Sequence, residues 1–192
     1  MSSDLRVTLG AQGRTELLGP DRDEDWRVTL ADTGETAMTG SRLATVRRYV
    51  DDDDLLMCTY GDGVADIDIA KLIAFHKSHG KIATITAVRP PGRFGELVIA
   101  DGRVVEFDEK PQTTSGLING GFFVFDTRRI WDYIAPGTDT VLERDTMRRL
   151  VQDRQLVAYE HTGFWQPMDT LREFNMLNDL WSSGRAPWKV WT

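Results

Sequence analysis

The chain has 192 residues, enough for one domain with a substantial core, and its 41% apolar and 28% charged content is ordinary for a globular protein. A formal net charge of −7 argues against nucleic-acid binding, which draws its affinity from basic surfaces set against phosphates. The first residues lack the basic flank and apolar run of a secretory leader, no membrane span is visible, and the single cysteine, Cys58, excludes a disulfide framework and fits a reducing cytoplasm.

Leu5, Val7 and Leu9 alternate with polar residues, as do Trp26, Val28 and Leu30, so two half-exposed strands are expected on either side of a polar, Gly- and Asp-rich connection. Asp32-Thr33-Gly34 reads as a turn. From Ser41 the residues Leu43, Val46 and Val50 fall at helical spacing, with Ser41 or Thr39 as the cap. The acidic run Asp51 to Asp54 is expected to be a solvated loop. Leu55 to Thr59 is a mostly apolar stretch that stops at Gly61-Asp62-Gly63. It reads as a strand buried on both faces that delivers a carboxylate to its carboxyl end, the edge at which open α/β sheets bind ligands. A carboxylate between two glycines suits a hard cation such as Mg²⁺, and equally suits a tight turn in which Asp62 bonds its own backbone.

A helix is expected from about Asp66 to Ser78, with Ile69, Leu72, Ile73 and His76 on one face and Gly80 ending it; His76 and His79 read as helix surface rather than ligands. Ile82 to Val88 reads as a buried strand leading to the rigid loop Pro90-Pro91-Gly92-Arg93-Phe94-Gly95. Residues 96–100 and 103–107 flank Asp101-Gly102, a strong hairpin signal. Glu109-Lys110-Pro111 opens a polar loop that ends at Asn119-Gly120-Gly121, two glycines through which the chain enters the apolar strand Phe122 to Phe125. Helices are expected around 128–134 and 141–151, and a strand over 156–161. An aromatic loop, 163–169, then leads to a helix ending near Ser183 with Leu171, Phe174, Leu177 and Leu180 on one face. Strands alternating with helices imply an α/β fold of three layers around a mainly parallel sheet, with a β-hairpin insertion, in one domain covering residues 1–192.

Asp62 and Asp169 are two carboxylates that fall next to predicted element ends, where a pair of them can share one Mg²⁺ with phosphate oxygens and water. Asp169 has a rival explanation as a helix cap, since Thr170 and Glu173 have the spacing of a capping box. Lys110, between a glutamate and a proline, suits a phosphate partner, although most lysines are simply solvated. Asn119 with Gly120 offers an amide and backbone N–H groups to sugar hydroxyls, or forms a plain turn, and Arg93 and Arg42 are candidate phosphate clamps. No GxGxxG or Walker loop occurs.

In this order, the segments Thr39-Gly40-Ser41-Arg42-Leu43, Tyr60-Gly61-Asp62-Gly63-Val64, Pro91-Gly92-Arg93-Phe94-Gly95, Glu109-Lys110-Pro111, Asn119-Gly120-Gly121-Phe122-Phe123 and Phe164-Trp165-Gln166-Pro167-Met168-Asp169-Thr170 resemble the sugar-1-phosphate nucleotidylyltransferases. Among these they resemble the glucose-1-phosphate cytidylyltransferases, from about Asp25 to Trp191. The resemblance implies a Rossmann-like nucleotidyltransferase fold, formation of CDP-glucose and pyrophosphate from CTP and α-glucose 1-phosphate, and Mg²⁺ as cofactor. It assigns Asp62 and Asp169 to the metal and Lys110 to the sugar phosphate, the three as catalytic residues. Asn119 and Gly120 are implied to contact the sugar, Arg93 and Gly95 to belong to a sugar-side loop, and Glu109 to lie among the substrate contacts. Thr39, Gly40 and Arg42 are implied to meet the nucleotide, and Glu143, with Asp145, to border the sugar. Asp145-Thr146 stands where the family usually has Glu-Pro, and Ser41 where it usually has glycine.

The family opens with a Gly-Gly-x-Gly-Thr-Arg loop and a lysine around the NTP phosphates. These residues do not occur in the sequence, so the chain is expected to be the C-terminal larger part of a nucleotidyltransferase domain and to be inactive by itself. The alternative is a non-catalytic remnant that binds sugar phosphate or associates with a complete paralogue. The implied partners are CTP and glucose 1-phosphate, without nucleic acid or membrane and with a homo-oligomer left open, in the cytoplasm and in the service of dideoxyhexose and O-antigen sugars.

Overall fold

A computed structural model of the chain describes residues 4–8, 14–18, 28–90, 96–100, 103–108, 116–135, 137 and 139–191. They fall into two compact units, Met1–Asp32 and Thr33–Thr192. In the first, β1 (Asp4–Thr8) pairs antiparallel with β2 (Arg14–Leu18), placing Leu5 opposite Leu17. The alternation of Leu5 and Val7 marks β1 correctly. β2 lies inside the expected connection, and the strand expected around Val28 is absent from residues 28–30, where Val28 and Leu30 are 71% and 90% exposed. Alternation makes a segment fit for a half-buried strand, but only a backbone partner makes it one; Trp26 lies outside the described residues.

The second unit begins with α1 (Thr39–Val46), β3 (Leu55–Thr59), β4 (Gly63–Ala65), α2 (Ile69–His79) and β5 (Ala83–Val88). The hairpin β6 (Glu96–Ala100) and β7 (Arg103–Asp108) follows, and then β8 (Ile118–Asp126). A short 3₁₀ turn (Ile130–Asp132) and a wide π-helical turn (Leu142–Thr146) lead into α3 (Met147–Gln152), and β9 (Leu156–His161), β10 (Trp165–Pro167) and α4 (Leu171–Ser182) complete the unit. Four strands form one sheet in the order β3-β8-β5-β9. β5 and β9 are parallel, and β8 runs antiparallel to both β3 and β5. The sheet is therefore mixed: three strands share a direction, and β8 comes back beside β5 after the β6–β7 hairpin, without the crossover helix that a parallel neighbour needs.

β8 starts four residues earlier than its apolar run, so Gly120 and Gly121 lie within the strand rather than before it. Its run is covered on both faces. Phe123 and Phe125 pack with Leu43, Leu56, Ile82, Ile130, Leu142 and Leu150 on one side, and Val124 packs with Ile67 and Leu72 of the α2 side on the other. These two clusters are the inner boundaries of three layers. β3 is less covered than its sequence suggested, because it stands at the end of the sheet order: Leu56 is buried while Met57 is 43% exposed.

α2 ends where the sequence indicated, with Gly80 at φ 64°, and starts at an Asp68 cap that accepts the Lys71 N–H at 3.0 Å. The expected side-chain cap of α1 is missing: Met38 occupies the N-cap position and the Thr39 hydroxyl bonds elsewhere.

His76 is not a surface residue. It is 3% exposed, with Nδ1 2.8 Å from Thr84 Oγ1, and His79 Nε2 approaches the same oxygen at 2.8 Å. The Lys81 N–H donates to His79 Nδ1 at 2.9 Å, so the neutral His79 ring carries its proton on Nε2. Burial pushes both imidazoles below their ordinary pKa of 6.5. Unfolded rings therefore take up protons at a pH where the folded ones do not, so this contribution to stability is complete above pH 6.5 and lost as pH falls below it. The melting temperature is expected to fall on acidification from about pH 7.5 to 5.5, by roughly 2–4 °C per kcal/mol lost. Replacing the pair as His76→Leu with His79→Gln is expected to flatten that slope; an unchanged slope in the variant refutes the assignment.

Candidate active site

The carboxyl end of β3 continues through Tyr60 and Gly61 to Asp62, and β4 then pairs antiparallel with β10, Gly63 opposite Pro167 and Val64 opposite Gln166. The ladder extends one step further, as the Met168 N–H donates to the Asp62 carbonyl at 2.9 Å. Asp62 and Asp169, remote in sequence, thus flank the same end of this ladder. The other end closes with the Asp66 N–H donating to the Phe164 carbonyl at 3.1 Å and with His161 Nε2 2.9 Å from Asp66 Oδ1. Gly163 lies against that Asp66 carboxylate so closely that a Cβ would collide with it.

The capping explanation for Asp169 does not hold. Thr170 is the N-cap of α4, its Oγ1 accepting the Glu173 N–H at 3.3 Å, while Glu173 Oε2 accepts the N–H groups of Asp169 (3.0 Å) and Thr170 (2.9 Å). The cap is complete without the Asp169 carboxylate, and both Asp62 and Asp169 are exposed. Two accessible carboxylates are a hard oxygen donor set of the kind Mg²⁺ uses when it keeps waters and phosphate oxygens for its remaining positions. The described residues contain no cluster of three or more His, Cys, Asp or Glu that forms an all-protein cage.

A second constellation adjoins the end of β3. Tyr60 Oη donates to Glu143 Oε1 at 2.5 Å and accepts from Asn119 Nδ2 at 3.1 Å. Thr39 Oγ1 donates to Glu143 Oε2 at 2.7 Å and accepts the Leu142 N–H at 3.0 Å. Burial, then the Glu143 carboxylate, pushes the Tyr60 phenol well above its ordinary value of 10.0, so it stays a donor at every physiological pH. Glu143 sits in the π-helical turn before α3, and Asp145 in the same turn accepts the Val141 N–H at 3.0 Å, which ties it to the backbone.

Three expected binding residues have structural employment. Gly40 packs on Thr140, whose Cγ2 would be 2.8 Å from a Cβ at that position. Arg42 is tied to the neighbouring turn, Nη1 to Thr33 Oγ1 at 2.7 Å and Nη2 to the Glu35 carbonyl at 3.1 Å. Gly120 would place a Cβ 2.7 Å from Val88 Cγ1, and its carbonyl accepts from Trp165 Nε1 at 2.7 Å. Thr39, expected on the nucleotide side, is bonded to Glu143. Lys110, Glu109, Arg93 and Gly95 lie outside the described residues. Tyr60 was not singled out from the sequence, though an aromatic residue with a polar tip two places before Asp62 is a usable signal.

The pattern of the nucleotidyl transferase family matches residues 20–179. The chain is 54% identical over 170 residues to the glucose-1-phosphate cytidylyltransferase of Salmonella typhimurium, covering 88% of this chain and 65% of that protein, so it spans less than two thirds of that relative. It is 36% identical over 179 residues to a Bacillus subtilis protein named "Probable glucose-1-phosphate cytidylyltransferase", covering 93% of this chain and 68% of the other. Among solved structures, HddC from Yersinia pseudotuberculosis complexed with GMP-PN superposes with a TM-score of 0.55 at 20% identity, over 77% of this chain and 64% of that one. That likeness concerns the fold.

Proposed function

The chain belongs to the nucleotidyl transferase family, and on that footing we propose that it acts as a glucose-1-phosphate cytidylyltransferase. In this reading an oxygen of the 1-phosphate of α-glucose 1-phosphate forms a bond to the α-phosphorus of CTP, the α–β bridging P–O bond breaks, and CDP-glucose and pyrophosphate result. No covalent intermediate on the protein is needed, because positioning and charge neutralisation supply most of the rate. The observation that carries the reading is the β4–β10 ladder, which brings Asp62 and Asp169 to one end of one ladder at the carboxyl edge of β3. These two carboxylates would hold Mg²⁺. The ion, when bound, offsets phosphate charge.

The remaining roles follow the family resemblance. Lys110 would align the attacking phosphate and Asn119 and Glu143 the hexose hydroxyls, with Glu109, Arg93, Gly95 and Gly120 on the sugar side and Thr39, Gly40 and Arg42 toward the nucleotide. We read residues 1–192 as one nucleotidyltransferase domain, which the family pattern supports by running from residue 20 across the boundary at Asp32. A cytoplasmic location, with CDP-glucose destined for dideoxyhexose and O-antigen sugars, completes the proposal; the one cysteine, Cys58, a free thiol half-buried in β3, fits it.

Because residues 1–192 alone are expected to be inactive, the test is the protein as its own cells make it, with any further segment or partner it carries there, given α-glucose 1-phosphate, Mg²⁺ and one nucleoside triphosphate at a time. Equimolar CDP-glucose and pyrophosphate are expected with CTP, at a rate at least about tenfold above those with dTTP or GTP, the scale that loss of one or two specific hydrogen bonds gives. Turnover confined to another triphosphate, or none with any, overturns the proposal.

A further inference from the structure

The Tyr60 hydroxyl is bonded to Glu143 and to Asn119, so it joins segments from three parts of the chain. The hydrogen positions follow from the donors. Asn119 Oδ1 accepts the Gly121 N–H at 2.9 Å, so Nδ2 is the atom that donates to Tyr60 Oη. The phenol has one proton, and Glu143 Oε1 takes it. On the far side the Leu142 N–H fills a lone pair of Thr39 Oγ1, whose own proton goes to Glu143 Oε2. Each carboxylate oxygen thus accepts one bond and retains a lone pair, while Asn119 retains one amide N–H uncommitted among the described residues.

The ring itself is fenced in. It meets Phe123 edge-on with centroids 5.7 Å apart, and its Cδ2 lies 2.5 Å from where a Cβ on Gly121 would stand, at a backbone φ of 79° that glycine tolerates. A fixed phenol between a carboxylate and an amide holds an acceptor and a donor at a constant separation. Two neighbouring hydroxyls of a hexose need that combination, since each hydroxyl both donates and accepts.

We propose that Tyr60 is a positioning residue for the sugar: it locks Glu143 and Asn119 in the one orientation in which the carboxylate accepts from, and the amide donates to, adjacent hexose hydroxyls. This rests on the sugar-phosphate reading of the same site. Tyr60 touches neither phosphate nor nucleotide in this role, so its effect should follow the sugar alone.

The experiment is a calorimetric titration of the full chain with α-glucose 1-phosphate and, separately, with inorganic phosphate, which lacks the hydroxyls. Tyr60→Phe keeps the ring and its packing; it is expected to weaken glucose 1-phosphate about tenfold and leave inorganic phosphate unchanged. The double variant Tyr60→Phe with Glu143→Gln is expected to lose less than the sum of the two single losses, because Tyr60 acts in part through Glu143 and in part through Asn119. Thr39→Val, which leaves Tyr60 in place and removes the other donor to Glu143, is expected to show the same selective loss. Unchanged sugar-phosphate affinity in Tyr60→Phe, an equal loss for both ligands, or additive losses in the double variant overturns the inference alone. A wild-type chain that binds no glucose 1-phosphate overturns the sugar-phosphate reading, and the inference with it.

Discussion

Asp62→Asn and Asp169→Asn are each expected to lower the affinity of the chain for Mn²⁺, a paramagnetic stand-in for Mg²⁺, by about a hundredfold or more, and the double substitution to cost little beyond either single one. The expectation follows from the proposed sharing of one ion by the two carboxylates: when either is lost, the other alone would be an ordinary surface aspartate with negligible affinity. An amide keeps the size and polarity of the side chain but removes the charge that holds a hard cation. In catalytically active protein the same variants are expected to lower turnover by orders of magnitude, again without additivity. The control is Thr170→Ala. Thr170, not Asp169, caps α4, so this change is expected to lower stability by about 1 kcal/mol, a few degrees in melting temperature, with Mn²⁺ binding intact. Wild-type Mn²⁺ affinity in Asp169→Asn, accompanied by the stability loss of a missing cap, would return that residue to a structural role.

What the sequence made legible was local. The Gly80 helix stop depends on a few consecutive residues, and so does the Thr170–Glu173 capping box; both appear as read. The α2 face was legible in part: Leu72 and His76, one turn apart, are both buried while Ile69, expected beside them, is 39% exposed, and the polarity of His76 suggested solvent when Thr84 was waiting on the neighbouring strand. What depends on chain return was not legible. The direction of β8 is set by the hairpin before it, and the partner of the Thr39 hydroxyl lies 104 residues away at Glu143. A threonine at a helix start offers the same hydroxyl to its own backbone or to a distant carboxylate, and sequence alone favours the nearer. The same limit hid Tyr60. Its neighbours Gly61 and Asp62 announce a ligand edge, but its role comes from Asn119 and Glu143, which the fold alone brings to it.

The amides of β3 are expected to exchange with solvent orders of magnitude faster than those of Phe123, Val124 and Phe125 in β8, and to become slower as protein concentration rises. β8 is bonded along both edges, to β3 and to β5, so its N–H groups open only with the sheet. Within Thr33–Thr192, β3 stands at the end of the sheet order, and no strand pairs with its outer edge among the described residues. Outward N–H and C=O groups without a strand partner form a template for another chain. Net gains of about 0.5–1.5 kcal/mol per added hydrogen bond, together with cover for the 43% exposed Met57, favour pairing of two copies edge to edge. The entropy of association opposes this by several kcal/mol, so the association is weak and shows as concentration dependence rather than as a permanent dimer. Met57→Lys places a charge on that edge, the device natural sheets use against such pairing, and is expected to abolish the concentration dependence while leaving β8 protected. Val151→Lys, at an exposed position of α3, is the control and is expected to change nothing. β3 amides as protected as those of β8 at every concentration would mean that this edge is already covered, and would remove the reason for association.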